Sequence, residues 1–69
     1  MPEMQLFVNG EAVSAPDGVT LAELLDRLAL DKRRLAVEHN QRVVPRAEHP
    51  ALRLHAGDRI EIVSFVGGG

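Results

Sequence analysis

Met4-Gln5-Leu6-Phe7-Val8-Asn9-Gly10-Glu11-Ala12-Val13-Ser14 is the stretch on which the fold turns. Its first five residues alternate, so an extended backbone places Met4, Leu6 and Val8 on one face and Gln5 and Phe7 on the other. Asn9-Gly10 accepts the positive φ angles of a type I′ turn, which makes Glu11 to Ser14 the returning strand of a hairpin. One face of this hairpin is apolar and needs a cover.

The cover follows in the chain. Pro16-Asp17-Gly18 has turn chemistry, and Thr20-Leu21-Ala22-Glu23 fits a capping box, with Thr20 capping a helix and Glu23 reaching back to it. Leu21, Leu24, Leu25 and Leu28 recur at helical spacing and form one apolar stripe. So short a helix is marginal alone, so the stripe must lie on a sheet. Leu35-Ala36-Val37-Glu38-His39 reads as a third strand, Asn40-Gln41 as a turn, and Arg42-Val43-Val44 as a short strand halted by Pro45. Glu48 to Leu54 is a connection with Pro50 inside it, and His55-Ala56-Gly57-Asp58 is the turn that launches a last strand, Arg59 to Val66. There Ile60 and Ile62 face the helix, while Glu61, Val63 and Phe65 face away.

A hairpin, a helix across it and a last strand beside the first describe an α+β domain: a β-grasp, or ubiquitin-like, arrangement with a mixed sheet of four to five strands and one helix over one face. The expected organisation is a domain over residues 1–66 and a flexible glycine tail, Gly67-Gly68-Gly69. With the first and last strands adjacent, Phe7, Val63 and Phe65 are expected to form an apolar patch leading through Val66 into that tail, a surface for a partner.

Composition narrows the function. The chain has 69 residues, no cysteine and a formal charge of -2. That length allows one domain without a deep cleft, and the absence of cysteine excludes disulfides, thiolate metal sites and a cysteine nucleophile. The basic residues are scattered apart from Lys32-Arg33-Arg34, and Phe7 and Phe65 are the only aromatics, which argues against nucleic-acid binding. The apolar runs are too short to span a bilayer and Met1-Pro2-Glu3 does not begin a signal peptide, so a cytoplasmic location is expected. His39, His49 and His55 have no metal-ligand spacing, and Ser14 and Ser64 have no pairing that makes a nucleophile. No catalytic residue and no bound metal or cofactor are expected.

The chain resembles the ThiS-type sulfur carriers of bacterial thiamin biosynthesis in Val8-Asn9-Gly10, Thr20-Leu21-Ala22-Glu23-Leu24-Leu25, Val43-Val44-Pro45-Arg46, Gly57-Asp58-Arg59-Ile60-Glu61-Ile62-Val63 and Phe65-Val66-Gly67-Gly68-Gly69. The resemblance implies a co-substrate and not an enzyme. It implies that the Gly69 carboxylate is adenylated by an E1-like, ThiF-type enzyme using ATP and magnesium, then converted to a thiocarboxylate with sulfur from a donor such as a cysteine desulfurase. The acceptor implied is a ThiG-type thiazole synthase. Gly67 and Gly68 would thread a narrow passage, since glycine lacks the Cβ that obstructs close approach. The same fold and tail also serve the small subunit of molybdopterin synthase and other thiocarboxylate carriers, and a β-grasp module that binds without tail chemistry is a further alternative.

Overall fold

The structure, a computed structural model, describes residues 2–30 and 32–65. Strand β1 (Glu3–Val8) and strand β2 (Glu11–Pro16) form the hairpin, in register from Glu3 opposite Pro16 to Val8 opposite Glu11. Asn9 and Gly10 both have positive φ, 49° and 84°, as a type I′ turn requires. Helix α1 (Leu21–Arg27) follows, then a 3-10 turn at Lys32–Arg34, strand β3 (Leu35–His39), strand β4 (Arg42–Val43), a second 3-10 turn at Arg46–Glu48, and strand β5 (Arg59–Ser64). The five-stranded sheet has the order β2-β1-β5-β3-β4. β5 runs parallel to β1 and antiparallel to β3, so the last strand occupies the centre. The expected mixed sheet with one helix is therefore present.

The core forms where the alternation and the helical stripe meet. Met4 and Leu6 from β1, Leu21, Leu24 and Leu25 from α1, Val37 from β3 and Ile60 from β5 are buried together, with Ala15, Val19 and Leu54. Val8, Leu28 and Ile62 pack at its margin. Truncating any of these leucines removes about 2–5 kcal/mol, a large share of the stability of a domain this small.

The helix is short but well terminated. Thr20 Oγ1 accepts from the Glu23 N–H at 3.2 Å, and Glu23 Oε1 accepts from the Thr20 N–H at 2.8 Å, which completes the capping box. These bonds, the Thr20 amide's first, hold the Glu23 carboxyl below its ordinary range. The remaining free amides of the first turn go to the connection after β4: Leu21 N–H donates to the Leu52 carbonyl at 2.9 Å and Ala22 N–H to the His49 carbonyl at 3.0 Å. The connection expected over Glu48 to Leu54 is thus an integral wall of the fold. It also buries Leu54 and His49.

At the other end Leu28 is the C-cap and Ala29 adopts φ 57°. Ala29 N–H donates to the Asp26 carbonyl and Leu30 N–H to the Leu25 carbonyl, the Schellman pattern with alanine where glycine is usual.

Candidate functional site: the last strand and its exposed end

β5 enters the sheet through a turn in which Gly57 has φ 85°. The Gly57 N–H donates to the Gln5 carbonyl at 2.8 Å, tying the turn to β1. Asp58, next in the chain, organises the corner. Its Oδ2 accepts from the His55 N–H at 2.8 Å and lies 2.7 Å from His39 Nε2, while its Oδ1 accepts from Asn40 Nδ2 at 3.2 Å. Burial pushes the Asp58 carboxyl up, but the bonds from His39, the His55 amide and Asn40 outweigh it and hold the group below the ordinary carboxylate range. Asp58 thus joins one nearby backbone amide and two side chains of the β3–β4 turn region in the corner that precedes β5.

Two asparagines then grip the strand from opposite edges. On the β3 side, Asn40 N–H donates to the Arg59 carbonyl at 2.8 Å and Asn40 Oδ1 accepts from the Arg59 N–H at 2.9 Å. On the β1 side, Asn9 N–H donates to the Ile60 carbonyl at 2.8 Å, Asn9 Oδ1 accepts from the Ile62 N–H at 2.8 Å, and Asn9 Nδ2 donates to the Ile62 carbonyl at 3.2 Å. Each asparagine sits at φ 49° in a hairpin turn, and its carboxamide stands in for the peptide group that the turning strand no longer supplies. Sequence reading recognised both as turn formers and missed this second role.

Beyond Ile62 the strand changes character. Phe65 N–H donates to the Arg34 carbonyl at 2.7 Å, so pairing on the β3 side reaches residue 65. Val63 and Phe65 are 59% and 58% exposed, as the outward alternation requires. Val66, Gly67, Gly68 and Gly69, named above as tail and partner-binding residues, lie outside the described residues.

The expected contiguous patch of Phe7, Val63 and Phe65 does not form. β1 and β5 are neighbours, but they run parallel with Phe7 level with Arg59, and Val63 lies four residues further along, about 13 Å at the rise of a strand. Phe7 is only partly exposed, and the Arg59 guanidinium covers its ring at 5.1 Å from the centroid. Val43 of β4, 73% exposed, is on the same sheet face opposite Glu38, level with Glu61 and two strands away from β5.

The remaining candidates stand apart. His49 is buried, with Nε2 3.1 Å from the Val44 carbonyl, and Arg46 is exposed at the start of its 3-10 turn. No group of three or more His, Cys, Asp or Glu converges to hold a metal ion among the described residues. No helix of the described residues is long and apolar enough to cross a membrane. A surface hollow beside Gly18, Glu23 and Arg53 contains no β5 residue, and Arg53 closes one wall by donating to the Gly18 carbonyl at 3.0 Å.

Comparison with known proteins meets this geometry. The ThiS family model matches residues 3–69. The sulfur carrier protein ThiS of Escherichia coli is 32% identical over 66 residues, 96% of this chain and 100% of that protein. A thiazole synthase of Paramagnetospirillum magneticum is 39% identical over 66 residues, again 96% of this chain, but the match spans only 20% of that longer protein. The crystal structure of a thiamine biosynthesis protein, ThiS, from Geobacter metallireducens superposes with a TM-score of 0.82 at 32% identity, covering 96% of this chain and 100% of that one.

Proposed function

The chain belongs to the ThiS family, and on that premise we propose that it is a sulfur carrier for thiazole formation in thiamin biosynthesis, with Gly69 as the residue that bears the sulfur. The protein is then a co-substrate, worked on by other enzymes in the cytoplasm. The Gly69 carboxylate, ionised at neutral pH because a terminal carboxyl titrates near 3.5, attacks the α-phosphate of ATP within an E1-like enzyme that holds the magnesium. Pyrophosphate leaves and an acyl-adenylate remains. The outer sulfur of a persulfide on a donor such as a cysteine desulfurase displaces AMP to give an acyl disulfide, a thiol then cleaves its S–S bond and leaves as a disulfide, and the thiocarboxylate so released passes its sulfur to thiazole synthase.

The observation that supports this reading best is the contrast along β5. Its first half is held on both edges by Asn9 and Asn40, and its last residues, Val63 to Phe65, are exposed and aimed at the proposed tail. From Phe65 to Gly69 an extended chain reaches roughly 17 Å, enough to enter a buried site while the domain stays outside. Gly67 and Gly68 would keep that passage free of side chains. The thiazole synthase of P. magneticum supports the choice of acceptor, since the likeness to this chain occupies a fifth of a protein of that name.

The test is the intact mass of the chain after incubation with the E1-like enzyme of the same organism, ATP, magnesium and a sulfur source. The expected result is the replacement of one oxygen by one sulfur at Gly69, dependent on ATP. A mass that never changes, or sulfur found on a residue other than Gly69, would falsify the proposal.

A further inference from the structure

The open face of the sheet is divided. On the β2 and β1 side it presents small and polar side chains, Ala12, Ser14 and Gln5, with Phe7 under Arg59. On the β5, β3 and β4 side it presents Val63 beside Ala36, and next to them a row in which Glu61, Glu38 and Val43 lie across three strands. Val43, Val63 and Phe65 are among the most exposed large apolar side chains of the described residues, and all belong to this half.

Glu38 and Glu61 face each other directly across the β3–β5 pair. Like charges in that position weaken a sheet. Neither carboxylate has a hydrogen bond or ion pair with any described residue. Arg59, two residues before Glu61 on the same face, lies over the Phe7 ring on the β1 side, away from β3, and the exposed Arg34 is beside Phe65, four residues beyond Glu61. Arg42, next to Val43, alternates to the opposite face with its partner His39. The fold thus holds two uncompensated carboxylates in its centre, ringed by exposed valine and phenylalanine at the root of the tail.

We propose that this half-face is the docking surface for a protein partner that presents arginine or lysine side chains to Glu38 and Glu61 around an apolar seat for Val43, Val63 and Phe65. The inference rests on the carrier reading and names the surface chemistry of the protein that reads the tail. Charge decides the occupant. Nucleic acid and anionic membranes are repelled by the carboxylate pair, and a second copy of the chain would bring two more carboxylates against the first two. A basic protein surface relieves the repulsion on docking, so the pair favours association at a cost to the free domain. Exposed apolar side chains at the centre of such a surface supply the anchors, and the charges supply partner choice and on-rate.

The test measures the Kd of the full chain for thiazole synthase of the same organism, at low and at high salt. The double variant Glu38→Gln with Glu61→Gln should bind about tenfold more weakly at low salt and lose most of the salt dependence. Its thermal midpoint should stay at or above that of the unaltered chain, because the repulsion is gone. That pairing of weaker binding with undiminished stability is one that a merely structural role does not produce. A control, Glu3→Gln with Glu11→Gln, makes the same change in net charge away from the patch and should bind like the unaltered chain. An unchanged Kd for the first double variant, equal weakening by both, or no binding by the unaltered chain overturns the proposal. The carrier reading is judged separately by the mass assay, which contains no thiazole synthase.

Discussion

The two ends of β5 use the same backbone for opposite purposes. At the amino end, Arg59 to Ile62 is bonded on both edges by asparagine side chains and main chains, Asp58 gathers three donors beside it, and Ile60 is fully buried. At the carboxyl end, Val63 and Phe65 stand in solvent, with backbone pairing at Phe65 only to Arg34. Stability is concentrated where the strand enters and availability where it leaves. A carrier needs both, since a tail is delivered accurately only if its root does not move. Changes at the first end should therefore be read in folding and changes at the second in binding.

The largest effect is expected at Ile60. Ile60→Ala empties a site between β1, β3 and the helix and should cost about 2–5 kcal/mol, measured as a fall in denaturation midpoint at unchanged slope. A loss below about 1 kcal/mol would mean that the core closes over the gap and that the anchored end is less specific than its burial implies.

Next in size are the asparagine grips, where two substitutions separate backbone from side chain. Asn9→Gly keeps the positive φ and deletes the bonds to Ile62, and should cost about 1–2 kcal/mol. Asn9→Ala deletes the same bonds and adds the strain of a left-handed alanine, about 1 kcal/mol more. Hydrogen exchange should quicken at Ile62 in both. If exchange there is unchanged while stability falls, Asn9 is only a turn residue and the proposed fixing of the tail's root fails.

These two residues also show where sequence reading stops. The hairpin, the capping box, the leucine stripe and the position of the last strand beside the first were legible because each rests on local chemistry or on periodicity. The side-chain partners of Asn9 and Asn40 were not, since both lie in long-range register: Asn9 meets a residue 53 positions away and Asn40 one 19 away. The misplaced Phe7 has the same origin. Alternation correctly sent it to the open face, but only the register of a parallel pair tells how far along that face it lies, and sequence contains no marker for it. The connection from Glu48 to Leu54 was legible as a connection, but its bonds to the helix and the burial of His49 and Leu54 were not, since they too are long-range contacts. Ala29 at a left-handed cap was equally silent, because the usual sign is glycine.

A smaller effect is expected from acid. The Asp58 carboxyl is held below its unfolded value of 3.8, so its bonds to His39, His55 and Asn40 stabilise the fold fully above that value. The contribution is lost as pH falls through 3.8 towards the lower folded value. Asp58→Asn should lower the thermal midpoint at neutral pH and flatten its decline in this acid window. Parallel melting curves for the variant and the unaltered chain would show that the corner is held by geometry and not by charge.

The smallest expected change in stability, and the one that bears most on function, is at Phe65. Because 58% of the residue is already in solvent, Phe65→Ser should alter stability by no more than about 0.5 kcal/mol. If the carboxyl end of β5 is an anchor for thiazole synthase, the same substitution should weaken binding by about 1–2 kcal/mol, roughly five- to thirtyfold in Kd. Phe7→Ser supplies the contrast. Its ring is half covered by Arg59 and lies about 20 Å from Phe65 along the strands, so it should disturb the fold more and the association less. Equal losses of binding at both positions would erase the distinction between the two ends, because the partner would then have to cover the whole open face and not the half from which the tail departs.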